Sequence, residues 1–168
     1  MANKNQLFKD VYNKVRGNQY ANEASFRQDF VEALKNELNA ACPERARLVN
    51  PVLEYKVGLK KRADTRVFNI FLEFEVPPSN EGNVTRNKEI QILDYLDDLA
   101  KVKAKNNSQL LGFVTNGWKA EIFKYPAKTA SQSSNFMAVS NALIPILCQS
   151  ANLGITEPDD FIALFGAW

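Results

Sequence analysis

"KKRADTRVFNIFLEFEVPP", residues 60–78, is the stretch whose reading decides the fold. If the chain turns back on itself at Phe68–Asn69, one face carries Ala63, Thr65, Val67, Ile70, Leu72, Phe74 and Val76. The other carries Arg62, Asp64, Arg66, Phe71, Glu73 and Glu75. Alternation with a period of two is the signature of strands, so the segment predicts a β-hairpin. In that register Asp64 falls opposite Glu73, and Arg62 opposite Glu75. The first set is apolar enough to bury, and it fixes the register: a slip of one residue would turn the carboxylates inward. The second set is expected to face water.

Opposed Cβ atoms in an antiparallel pair lie about 4.5–5.5 Å apart, so Asp64 and Glu73 would repel each other without a cation. Two readings are open. Arg62 and Arg66 can neutralise the carboxylates on an ordinary solvated strand face, the common case for antiparallel sheets. Alternatively a hard divalent ion such as Mg²⁺ sits between them, held through carboxylates and water. Such an ion can activate a water and offset charge at a phosphoryl group.

Composition narrows the chemistry. The chain has 168 residues, which fits one domain, with 45% hydrophobic and 24% charged content as in an ordinary globular protein. It contains no histidine, which excludes Ser-His-Asp and Cys-His catalysis and His-ligated zinc. Any catalysis must rest on carboxylates, lysines, tyrosines or an oxygen-ligated metal. The net charge of +2 leaves a nucleic-acid partner to a local basic patch. "KVGLKKR" (56–62) and "KVKAK" (101–105) are the modest basic clusters, each also readable as a solvated face. Cys42 and Cys148 lie far apart and read as free thiols in a reducing compartment. "ALIPILC" (142–148) is too short to span a bilayer, and the N-terminus lacks a secretory h-region. A cytoplasmic protein with no membrane contact is expected.

The rest of the chain supplies a mixed α/β order with neither a repeat nor a second domain. Residues 20–39 place Phe26, Phe30, Val31, Leu34 and Leu38 at helical spacing, with Asn22 as N-cap. "NPVLEYKVG" (50–58) predicts a strand, and 86–104 a helix with Ile92, Leu93, Leu96, Leu99 and Ala100 on one face. "QLLGFVT" and "KAEIFKY" read as strands joined at Asn116-Gly117, a hairpin signal. "PAKTASQSSN" (126–135) reads as a polar loop. Residues 136–150 read as helical, with Pro145 expected to kink them, and Thr156 as the cap of a last short helix.

These residues resemble a known family. "RADTRVFNIFLEFEVP" is similar to the core motif of the PD-(D/E)xK nuclease superfamily: an Asp in one strand, then an apolar strand with two polar residues one apart. The order around it is similar too, with "NEASFRQDF" upstream, then the Gln–Tyr helix "EIQILDYLDDL" and "GFVTNGWKAEIFKY". It resembles the N-terminal nuclease domains of type I restriction R subunits and of single-chain restriction–modification enzymes. The resemblance covers about residues 20–125, with an echo at 156–166.

The resemblance implies a restriction-endonuclease-like fold over 1–168: a mixed central β-sheet flanked by helices, with a C-terminal helical segment at about 136–166. It implies a Mg²⁺-dependent DNA endonuclease domain, with Mn²⁺ as substitute, acting in restriction of foreign DNA. Asp64 and Glu73 would be the metal ligands. Glu23 would be an outer ligand or water-orienting group, and Gln91 would line the site with Tyr95 one turn on. Glu75 stands where the family usually has Lys, an E-x-E variant in which the second Glu can serve as catalytic base or as a further metal contact; a non-cleaving module binding DNA or a protein partner would carry the same residues. Lys88 and Lys56 are the candidate stand-ins for that Lys. The implied partners are DNA and a larger restriction–modification polypeptide or complex. Cutting both strands would need two such sites, and hence a homodimer or a transient pair. Against these, Glu23 also reads as a helix-start residue favoured by the macrodipole, and Gln91 with Tyr95 as a plain surface pair. A structural or regulatory domain unrelated to nucleic acid is the third reading, favoured by the near-neutral charge.

Overall fold

The computed structural model describes residues 6–43, 52–57, 61–67, 70–102, 110–126 and 128–150. Its strands are β1 (Val52–Val57), β2 (Lys61–Val67), β3 (Ile70–Phe74), β4 (Leu111–Thr115), β5 (Lys119–Lys124) and β6 (Gln132–Asn135). Its helices are α1 (Gln6–Arg16), α2 (Glu23–Ala41), α3 (Arg86–Val102) and α4 (Phe136–Ser150). The strands form one six-stranded mixed sheet in sequence order. Neighbours pair antiparallel except β3 and β4, which run parallel and are joined by the crossover that contains α3. The expected mixed α/β sheet flanked by helices is therefore observed.

The β2–β3 hairpin has the predicted register, with Thr65 opposite Leu72, Arg66 opposite Phe71 and Val67 opposite Ile70. Its burial does not match the expected division into a dry and a wet face. All five residues of β3, Glu73 included, are buried. The reason lies outside the hairpin. β4 pairs along the free edge of β3, and α3 covers the face that the hairpin alone would leave to water. A central strand covered on both sides loses its alternation. Val76, expected on the buried face, lies past the strand end and is 45% exposed.

On the first sheet face, Phe74 and Phe113 meet Phe26 and Phe30 of α2, and Phe30 also contacts Phe136 at the start of α4. Phe8, Val11 and Val15 of α1 are buried in the same cluster. α1 was not anticipated, although Leu7, Phe8, Val11, Tyr12 and Val15 recur at helical spacing along one side of an otherwise polar stretch. Asn22 caps α2 as expected, its side chain accepting from Ser25 N–H at 2.8 Å. α4 runs through Pro145 without interruption; that residue sits on its exposed side.

On the second face, α3 packs Ile92 and Leu96 against β4 at Gly112. Gly117 has φ +86° at the first position of the β4–β5 turn, with Asn116 before it. One positive φ at that position matches a type II′ turn. Asn116 is a turn device, its Oδ1 accepting from the N–H groups of Trp118 and Lys119 and its Nδ2 donating to Gly82 O. Trp118 packs edge-on against Tyr12 and donates Nε1–H to Pro78 O.

Two expectations need correction. Residues 132–135, read as loop, form the edge strand β6; all four are exposed, so no burial pattern marked them. Cys42 and Cys148 are not free thiols but a disulfide, with Cα atoms 6.0 Å apart. Cys42 caps α2 and Cys148 lies near the end of α4; the two helices pack on one sheet face, which brings their ends together. Among the described residues no helix is long and apolar enough to cross a membrane. The basic cluster at 101–105 lies largely, and the helix expected from Thr156 wholly, outside the described residues.

Candidate functional site

The predicted site residues come from three elements. Glu73 is contributed by β3, Glu23 by the first turn of α2, and Gln91 by the second turn of α3. Asp64 belongs to β2, whose observed pairing with β3 ends at Thr65–Leu72, one residue short of it. The Asp64 side chain lies outside the described residues, as do those of Arg62 and Lys56.

Glu73 is the centre of the arrangement. Its carboxylate is wholly buried, with Lys88 Nζ of α3 3.5 Å from its Oε2. The same Nζ lies 3.7 Å from Oε2 of Glu23. Lys88 therefore links Glu23 to Glu73 across the sheet end. Such burial of a carboxylate is costly without a cation, and here a tethered ammonium supplies one. The sequence named Lys88 as a candidate but had no means of setting it beside Glu73. The signal available was its place one helical turn before Gln91.

Glu75, one residue past the end of β3, is engaged elsewhere. Its Oε2 accepts from both the N–H and the Oγ1–H of Thr85, each at 3.1 Å. Thr85 immediately precedes α3, so this carboxylate satisfies a helix-start donor and lies at the positive end of the macrodipole. Gln91 donates Nε2–H to the hydroxyl of the buried Tyr95 at 2.6 Å, so the pair is partly internal rather than a plain surface contact.

A second acidic pair lies under the same helix and was not foreseen. Val114 is the cross-strand neighbour of both Glu73 and Glu121, so the two glutamates share a sheet face, two strands apart, or roughly 10 Å. Burial, then a hydrogen bond to Glu89 of α3 and its negative charge, push the Glu121 carboxyl up to about 7; Arg86 and Ser133 oppose the shift. Arg86 is 3.7 Å from Glu89. The first two turns of α3 thus lie over several carboxylates, and among the described residues Arg86 pairs with Glu89 and Lys88 with Glu73.

Hard oxygen donors suit Mg²⁺ or Mn²⁺, and the space beside Glu73 already accommodates a positive charge, so the donor chemistry fits such an ion. Among the described residues no group of three acidic, histidine or cysteine side chains is gathered to hold a metal; Asp64, the second predicted ligand, is not among the side chains described. Comparison with known protein families, curated proteins and solved structures found no match to this chain.

Proposed function

We propose that this chain is a Mg²⁺-dependent DNA endonuclease domain of restriction-endonuclease-like fold, hydrolysing phosphodiester bonds in restriction of foreign DNA. The observation that carries the reading is Glu73: a fully buried carboxylate on the central strand, linked through Lys88 to Glu23 of another helix. Cores rarely hold an ionised group without a task for it. The hairpin register is compatible with it: Thr65 pairs with Leu72, and one further step in the same register would set Asp64 opposite Glu73.

In this reading Asp64 and Glu73 hold the ion, with Glu23 at its outer edge. When bound, Mg²⁺ would lower the pKa of a coordinated water and offset charge on the phosphoryl oxygens. Gln91, whose Nε2–H donates to Tyr95, would present its amide to the site, and the α3 start holds Glu75 through Thr85. Hydrolysis exchanges one phosphorus–oxygen ester bond for a bond to the water oxygen, and the water's proton ends on the departing alcohol. Sequence specificity would reside in a larger restriction–modification polypeptide or complex, and duplex cleavage would need two copies of the site.

A second reading has its own support. Glu75 is bound to Thr85 and Glu73 is already offset by Lys88, an arrangement that also suits a non-cleaving module binding DNA or a protein partner. Plasmid nicking separates the two. Cleavage by the wild type with Mg²⁺, lost in Asp64→Ala and Glu73→Gln, supports the nuclease. Salt-dependent DNA binding without cleavage supports the module.

A further inference from the structure

We propose that Lys88 is a tethered counter-cation of this site: its ammonium offsets Glu73 and Glu23 in the metal-free protein and is displaced when a divalent cation binds. The inference rests on the metal reading above and names how that site is controlled.

Three features of Lys88 carry it. Its Nζ stands between two carboxylates from different elements, at 3.5 and 3.7 Å. Both separations exceed the roughly 2.7–2.9 Å of a tight charge-assisted hydrogen bond, so the ammonium is shared between the two rather than locked to either. Its side chain is 22% exposed, against 1% for Glu73 and 37% for Glu23, which leaves a path to water for the head group of a flexible four-carbon stem. A divalent ion at Glu73 and the ammonium cannot share that space, because like charges a few ångströms apart at the edge of a protein repel strongly. Binding of the ion and release of the lysine are then one equilibrium. The lysine keeps a buried carboxylate tolerable in the empty site and sets a threshold of ion concentration for loading it.

The test is Mn²⁺ binding by calorimetry to the wild type, Lys88→Met and Glu73→Gln, together with amine acetylation of Lys88 in the wild type read by mass spectrometry. Removing the competing cation should tighten Mn²⁺ binding about tenfold or more in Lys88→Met, and the melting temperature of that variant should rise with Mn²⁺ more than that of the wild type. Lys88 in the wild type should acetylate several-fold faster with Mn²⁺ present than without. The acetylation arm needs no variant, so it decides the matter even if Lys88→Met fails to fold. Mn²⁺ bound through Glu73, with unchanged acetylation and no tightening in Lys88→Met, overturns the counter-cation role and leaves the metal reading standing. Mn²⁺ binding that is absent, or indifferent to Glu73→Gln, overturns the metal reading itself and the counter-cation role with it.

Discussion

Gly112 of β4 and Ile92 of α3 approach so closely that a Cβ on the glycine would lie 2.6 Å from Ile92 Cγ1. Leu96 Cδ1 would be 3.3 Å away. This contact sets the height of α3 over the sheet, and with it the reach of Lys88 to Glu73. Gly112→Ala should therefore lift or tilt the helix, with an overpacking cost of about 1–3 kcal/mol read as a lower denaturation midpoint. Gly82→Ala, whose Cβ would meet only Asn80 O at 3.9 Å, should change stability much less.

The Lys88–Glu73 pair should behave as a half-buried ion pair whose members cannot be removed singly without cost. Glu73→Ala is expected to destabilise by about 2–3 kcal/mol, below the full cost for a buried pair because Lys88 keeps Glu23 and some water. Glu73→Ala combined with Lys88→Met should recover part of that loss, since the ammonium is then no longer left beside an emptied buried site, while the half-exposed Glu23 loses its partner. Urea unfolding of the singles and the double forms the cycle that measures it.

Glu121 gives a pH dependence with a defined sign. Its folded carboxyl is pushed up to about 7, above the usual value near 4.5, so the folded state holds the proton more tightly than the unfolded one. Stability from this group is full below about pH 4.5 and is lost as pH rises towards 7. Allowing for solvent screening, the change is on the order of 1 kcal/mol, or about 2–4 °C in melting temperature. Glu121→Gln should flatten the melting-temperature profile between pH 5 and 8. An unaltered slope in the variant would remove Glu121 from the account.

The Cys42–Cys148 bridge closes a loop with a sequence separation of 106, for which chain-entropy arguments give roughly 4–5 kcal/mol of stabilisation. Protein purified without reductant should show no reactive thiols until it is reduced, and two afterwards. Cys42→Ser should melt well below the oxidised wild type and close to the reduced wild type.

Local patterns were readable because their causes are local. Asn22 is the cap it looks like, and the Phe68–Asn69 turn inferred from alternating residues gives the register found at Thr65–Leu72, although the turn itself is outside the described residues. Burial was not readable, because it depends on what arrives from elsewhere. Glu73 looked solvent-facing until β4 and α3 closed over it, and Lys88 reaches it from fifteen residues away in sequence. Glu121 and Glu89 gave no signal, since each sits in an otherwise ordinary strand or helix. The short edge strand β6 gave no signal because it buries nothing, whereas α1 was legible in the helical spacing of Leu7, Phe8, Val11, Tyr12 and Val15. The thiols were misread because their proximity depends on how α2 and α4 pack.

The parallel seam between β3 and β4 has a consequence for assembly. β1–β2–β3 and β4–β5–β6 are each meanders of near neighbours, able to zip up early, whereas their union needs a long crossover to close. Glu73 sits in the first half, Glu121 in the second and Lys88 in the bridge, so neither half holds the cluster by itself. Whatever binds there gains its grip only on the finished molecule, and by doing so clamps together the two pieces that are slowest to find each other.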